Sequence, residues 1–268
     1  MKHLFYIFTL AIIISTTSCE GKKLNIFTVE QDVEMGREVV EQILNSPSEY
    51  PILKRSSNLE AYQYLENIRD KILASGELKY ADRYDWDIYI IDQDVLNAFA
   101  VPGGTTFYYT GLLKYLDDEA SLAGVMGHEF AHADKRHATT NMTKEYGYQT
   151  LLNVLLGQDS NTTVKIASEL ALGLGGLKFS RTNEYEADEF AVKYLYKTDY
   201  DARGVAYFFK KLGEESDNGA SPEWLVYFQT HPNPEDRVQK IYELHTKLGG
   251  KEGNKFTSDY QEFKALLK

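Results

Sequence analysis

Leu122-Ala123-Gly124-Val125-Met126-Gly127-His128-Glu129-Phe130-Ala131-His132 is the stretch from which the rest of the chain can be read. Its first six residues are apolar or small, the make-up of a helix buried in a core. Its last five set two histidines four apart, with a glutamate directly after the first. On a helix, residues four apart stack one turn above the other on one face, so both imidazoles can reach one metal ion. Zinc accepts imidazole nitrogen and, in a catalytic site, keeps one position for water. Glu129 projects beside the pair, where it can take a proton from that water. Ionisable groups at the end of a buried helix are costly unless they have a task. Asp117 or Asp118 can cap this helix, expected over residues 119–136, with acids in its first turn.

Two histidines leave a tetrahedral site short of a ligand. A third histidine in the same motif is excluded, because Lys135 and Ala138 hold the positions that a Gly and a His would need. The missing ligand is therefore expected far along the chain, as a carboxylate. Glu184-Tyr185-Glu186-Ala187-Asp188-Glu189 offers acids on a segment that continues with helical spacing through Phe190, Ala191, Tyr194 and Leu195. Glu184 and Asp188 share a face, so Glu184 can bind the metal while Asp188 orients a ligating imidazole. Glu186 and Glu189 then point elsewhere. By spacing alone, a solvated acidic face is an equal alternative.

Working outward, apolar residues recur at helical spacing over residues 30–44 and 58–73. The period then changes. Residues 86–91 are β-branched and aromatic, and residues 98–101 and 105–109 flank the turn Pro102-Gly103-Gly104. These three strands predict a small sheet beside the metal-binding helix. A strand there can pair with an extended peptide, and Ala98, Phe99, Ala100 and Val101 form one candidate edge, residues 105–109 the other. An ordinary paired strand is the plain alternative for each. Further helices are expected at 143–156, 164–174, 183–196 and 202–212. Asn233-Pro234-Glu235 carries a cap, a proline and an acid, the start of a helix running to residue 248. A short helix is expected over 258–267. The fold class is therefore α+β and mainly helical. His137 and His245 read as surface residues, and Arg237 as a structural ion-pair residue.

At 268 residues and 43% hydrophobic, the chain supports one sizeable core. A catalytic domain is expected over residues 29–250, followed by a tail over 251–268. The formal net charge of −11 repels phosphate backbones, which excludes nucleic acid as a partner. Residues 1–18 have the basic start, short apolar run and small residues of a signal peptide, too short to span a bilayer. Cys19, the only cysteine, follows directly, as in a bacterial lipoprotein signal where the thiol is acylated. Residues 19–28 would then be a lipidated tether that holds the protein to a membrane. Among later runs, residues 166–177 are too short to span and contain Glu169.

Several stretches together carry a resemblance. His128 to His132, the later Glu184-x-x-Ala187-Asp188 and the preceding Phe179-Ser180-Arg181 are three of them. Others are Asn97 to Gly104, Thr110-Gly111-Leu112-Leu113, Glu30-x-x-Val33-Glu34-Met35-Gly36, and His231-Pro232 with Arg237. The chain resembles metallopeptidase family M48, the HtpX and CAAX prenyl protease group, over nearly its whole length after the first thirty residues. The resemblance implies a gluzincin-like fold with one zinc ion per chain, Glu184 as third ligand and Asp188 as the acid of the second motif. It places His231 near the metal, either stabilising the oxyanion or occupying the water position. Within the group the chain is similar to the branch without membrane spans. That implies a periplasmic lipoprotein of the bacterial envelope, at the outer membrane, cutting unfolded or misassembled polypeptides. A zinc-bound but gated chaperone, or a hydrolase of non-peptide amides, are the rival readings.

Overall fold

Asp118 closes the N-terminus of the central helix. Its carboxylate accepts hydrogen bonds from the Ser121 backbone N–H at 2.8 Å and the Ser121 hydroxyl at 2.7 Å, satisfying a donor that the first helical turn leaves open. The structure, a computed structural model, describes residues 24–147, 179–217, 227, 231–232 and 236–267. In chain order these form α1 (Val29–Leu44), α2 (Leu59–Leu73), β1 (Ile88–Ile91), β2 (Ala98–Ala100), β3 (Thr106–Tyr109), α3 (Thr110–Tyr115), α4 (Glu119–Asp134) and α5 (His137–Tyr146). They continue with α6 (Arg181–Tyr196), α7 (Gly204–Asp217), α8 (Arg237–Lys247) and α9 (Thr257–Lys264). The molecule is thus mainly helical with one small sheet, as the sequence pattern predicts.

The sheet has the order β1-β3-β2. β1 runs parallel to β3, with Ile88 opposite Thr106, and β2 runs antiparallel to it, with Phe99 opposite Phe107. Gly103 and Gly104 make the β2–β3 turn at φ 80° and 96°, a region where glycine alone escapes a Cβ penalty. Side chains alternate across the sheet, and both faces are covered. Ile88, Ile90, Ala98 and Tyr108 enter the main core. Ile91, Phe99, Phe107 and Tyr109 pack instead with Val39 and Ile43 of α1 and Met142 of α5.

Helix α4 lies at the centre, and every one of its residues is buried. It packs chiefly on α6 and α7, with β2 and α2 also against it. Such intimacy needs small residues. A Cβ on Gly124 would stand 2.1 Å from the backbone nitrogen of Val205, at the start of α7. The C-terminal helix α9 also joins the core: Phe263 stacks on Tyr64 at 4.3 Å, and the Tyr260 hydroxyl donates to the Leu113 carbonyl at 2.7 Å.

Between α4 and α5 the chain turns at Arg136, whose φ of 56° is left-handed. Its guanidinium donates to the Asp32 carboxylate at 3.0 Å and to the Phe27 carbonyl at 2.6 Å, contacts that offset the strain of a non-glycine there. This break corrects one boundary. In place of the helix expected over 143–156, a helix runs from His137 to Tyr146 and ends at Gly147, because the chain reverses at Arg136 and resumes at once; residues 148–156 lie outside the described residues. The expected helix over 164–174, the Asn233-Pro234-Glu235 start, the signal segment and Cys19 lie outside the described residues. Among the described residues no helix is long and apolar enough to cross a membrane.

Candidate metal centre

His128 and His132 face one another from successive turns of α4, their Nε2 atoms 3.0 Å apart. The partner helix α6 starts at a capping box, in which Ser180 and Asn183 satisfy each other's backbone N–H groups. That start fixes the helix so that its first turn hangs over the two imidazoles. Glu184 Oε2 lies 3.5 Å from His128 Nε2, and Oε1 lies 3.5 Å from His132 Nε2. His231 comes in from the other side. Its Nδ1 is 3.3 Å from Glu184 Oε1 and its Nε2 is 3.6 Å from Glu129 Oε1, with the ring stacked on Tyr227 at 4.7 Å. One donor atom from each of His128, His132, Glu184 and His231 lies within 4.8 Å of all the others, and all four residues are buried.

The donor set fits a metal ion. Four donors at about 2.0–2.1 Å from one zinc, at tetrahedral angles, stand about 3.3 Å from one another. The shortest contacts among the four residues run from 3.0 to 3.5 Å, within a spread of 4.8 Å for the whole set. Neither Glu184 oxygen makes a well-formed hydrogen bond, and neither does His231 Nδ1. Buried acceptors drawn together in this way are costly unless a cation lies among them. Part of that charge comes from Arg237, whose Nη1 is 3.0 Å from Glu184 Oε2.

Outer contacts aim the ligands. Asp188 Oδ1 is 2.9 Å from His128 Nδ1, so the carboxylate accepts the Nδ1–H and leaves Nε2 to face Glu184 and His132. Both Asp188 oxygens also accept from Arg237, each at 2.6 Å, and the guanidinium lies over Phe209 at 3.9 Å. Arg237 is thus an ion-pair residue, buried to 1% exposure, and the carboxylates it pairs with are those of the site. Glu189 turns to Lys193 on the surface.

The protonation pattern follows from burial and charge. Burial opposes charge on His128, but Asp188 and Glu184 outweigh it and raise the ring to about 9. Burial holds His132 well below the usual histidine value. Burial would lift Glu184, yet His231 and His128 hold it well below the carboxylate range. Asp188 is likewise lowered against its burial by Arg237. Glu129 goes the other way: burial raises it, and His231 and His128 only partly compensate.

Strand β2 is an edge of the sheet and lies against α4. The backbone of Ala100 lies close enough to the Glu129 carboxylate to favour its ionised form. Ala100, Val101, His132, Ala133 and Phe179 line a small pocket between the strand and the second histidine, and Phe179 covers the His132 ring at 3.9 Å. Ala98, Phe99, Ala100 and Val101 therefore stand next to the cluster, with Phe99 and Val101 turned into the packing under α1.

Two histidines depart from their expected surface positions. His245 is buried and its ring lies 2.9 Å from the Lys251 carbonyl. His137 is buried behind His132, Nδ1 to Nδ1 at 3.0 Å, while its Nε2 lies 3.2 Å from Glu186. Sequence reasoning passed over His137 because it follows the charged run Asp134-Lys135-Arg136. No pattern in the adjacent residues marks its burial, which rests on the turn at Arg136.

A model of peptidase family M48 matches residues 60–245. Among curated proteins, the chain is 27% identical over 223 residues to the beta-barrel assembly-enhancing protease of Yersinia pestis, covering 79% of this chain and 43% of that protein. It is 26% identical over 220 residues to the protein of the same name in Escherichia coli strain K12, again covering 79% and 43%. It is 30% identical over 180 residues to the mitochondrial metalloendopeptidase OMA1 of Arabidopsis thaliana, covering 67% and 36%. The chain thus spans less than half the length of these relatives.

Proposed function

Because the chain belongs to peptidase family M48, we propose that it is a zinc-dependent endopeptidase, with His128, His132 and Glu184 as ligands and Glu129 as general base. The observation that carries this reading is the buried four-donor cluster with Glu129 and an edge strand beside it. Zinc held there would act as a Lewis acid on water and on the scissile carbonyl. Glu129, lifted by burial, takes the proton of the attacking water and returns it to the leaving amine, a task that favours a carboxyl value nearer neutrality. His231, with Nε2 facing Glu129, is placed to donate to the developing oxyanion. Ala98, Phe99, Ala100 and Val101 offer backbone groups along which an extended polypeptide can lie.

The substrate class we propose is unfolded or misassembled protein of the bacterial cell envelope. Support comes from the names of the two bacterial relatives and from the signal-like residues 1–18. Acylation of Cys19 would hold the enzyme at the membrane, with outer-membrane placement the specific expectation; a palmitate analogue should label the wild type and not Cys19→Ala. The enzymatic reading is tested with casein. Hydrolysis should be lost with a zinc chelator and in Glu129→Gln, while that variant still binds zinc. Turnover retained by Glu129→Gln would refute Glu129 as base.

A second reading is a zinc-bound but gated chaperone. It is favoured by the position of His231, which is itself one of the four converging residues, with Nδ1 3.3 Å from Glu184 Oε1. On this reading wild type binds zinc and cuts nothing, His231→Ala releases activity, and Glu129→Gln complements a deletion.

A further inference from the structure

The two histidines of α4 each use Nε2 toward the cluster, but their outer nitrogens meet different partners. His128 Nδ1 rests directly on Asp188, at 2.9 Å. Among the described residues His132 Nδ1 meets no carboxylate; it meets His137 Nδ1 at 3.0 Å, and His137 Nε2 in turn lies 3.2 Å from Glu186 Oε2. Glu186 and Asp188 sit two residues apart on α6, so one helix supplies the outer acid for both imidazoles.

Donor and acceptor roles along the second chain can be assigned from its acid end. An ionised carboxylate only accepts, so Glu186 takes a proton bond from His137 Nε2–H. In its neutral form His137 then has its lone pair on Nδ1. Two facing nitrogens at 3.0 Å need one donor, and that donor is His132 Nδ1–H. His132 Nε2 is left unprotonated and aimed at Glu184 and His128. The opposite tautomer of His132 would set two lone pairs against each other at Nδ1 and turn a proton into the donor cluster.

We infer that His137 and Glu186 form an imidazole-extended outer shell that fixes His132 as the Nδ1–H tautomer and so presents Nε2 to the metal. The inference rests on the zinc reading above. His137 is a positioning residue: it contributes no atom to the cluster and acts through His132. Metal-bound histidines are habitually oriented by a hydrogen bond to the far nitrogen, and loss of such a partner weakens metal binding about 10- to 100-fold.

Packing and hydrogen bonding rank substitutions at this buried position in opposite orders. Phe fills the volume of the ring but has no acceptor. Asn leaves space but carries an oxygen where Nδ1 was. The test is zinc affinity of the full chain by competition with a chromophoric chelator, for the parent, His137→Phe, His137→Asn and Glu186→Leu. His137→Phe should bind zinc about 10- to 100-fold more weakly than the parent, with His137→Asn recovering most of the loss and Glu186→Leu between the two. His137→Phe binding as well as His137→Asn overturns the relay while leaving the metal site standing. A parent chain that takes up no zinc overturns the metal reading and the relay with it. If neither His137 variant folds, nitrogen-15 NMR of the parent decides: His132 protonated at Nδ1 and His137 at Nε2 supports the relay, and any other tautomer of either ring overturns it.

Discussion

Gly124→Ala separates intrinsic preference from tertiary packing, because the two predict opposite signs. Gly to Ala in a helix interior stabilises by about 1 kcal/mol when nothing else changes. Here the new Cβ would lie 2.1 Å from the Val205 nitrogen and 2.5 Å from the Gly204 carbonyl carbon. Both atoms are backbone, so no side-chain rotation relieves the clash, and α4 and α7 must move apart by roughly an ångström. Overpacking of a close-packed core costs about 1–3 kcal/mol, and a backbone collision belongs at the top of that range. The net expectation is a loss of about 2 kcal/mol, or about 4–8 °C in melting temperature for a domain of this size. Gly213→Ala is the control: it lies in α7, and an added Cβ there meets nothing within 4 Å. That variant should be stabilised by about 0.5–1 kcal/mol. Thermal unfolding followed by circular dichroism compares the pair. A Gly124→Ala protein as stable as the parent would refute the close crossing of α4 and α7.

Chelation should lower the melting temperature, since metal held only by the folded state stabilises it by about 2.7 kcal/mol at a hundredfold excess over Kd; an unchanged midpoint would contradict the metal centre. Asp188→Asn should weaken zinc binding about 10- to 100-fold by competition titration, and full affinity would mean that His128 needs no anchor. Arg237→Met leaves Asp188 and Glu184 buried without their cation and should cost about 3–5 kcal/mol in denaturant unfolding; a loss below about 1 kcal/mol would show the pairing to be dispensable. The Asp201 carboxyl is held below the usual aspartate value of 3.8, with Arg203 and Tyr207 overcoming its burial. Its contribution is therefore present above pH 3.8 and is lost as the pH falls through the lowered value. Asp201→Asn should flatten the acid limb of the stability profile, and an unchanged slope would refute the assignment.

The elements with strong periodicity or punctuation were legible in the chain itself. The buried run before His128, the Asp118 cap and the Pro102-Gly103-Gly104 turn are local signals, and they place α4 and the sheet within a residue or two. Glu184 and Asp188 share a helical face by spacing, but only tertiary packing decides that the face looks inward. That decision is made by Arg237, a residue of another helix that no local pattern ties to α6. His137 was misread for the same reason. Its burial depends on the left-handed turn at Arg136, and that turn depends on Asp32, more than a hundred residues away.

The joining of α4, α6 and α8 by Arg237 also has a consequence in time. The two histidines are synthesised first, the carboxylates later, and the guanidinium that neutralises them last of the three. Domains emerge from the ribosome N-terminus first, and contacts of such long sequence separation form slowly. A nascent chain that has reached α6 but not α8 holds the acids and imidazoles without the cation that lets them be buried together. Completion of the cluster therefore waits for the synthesis of α8, which keeps the donor set unfinished while α4 and α6 are already made.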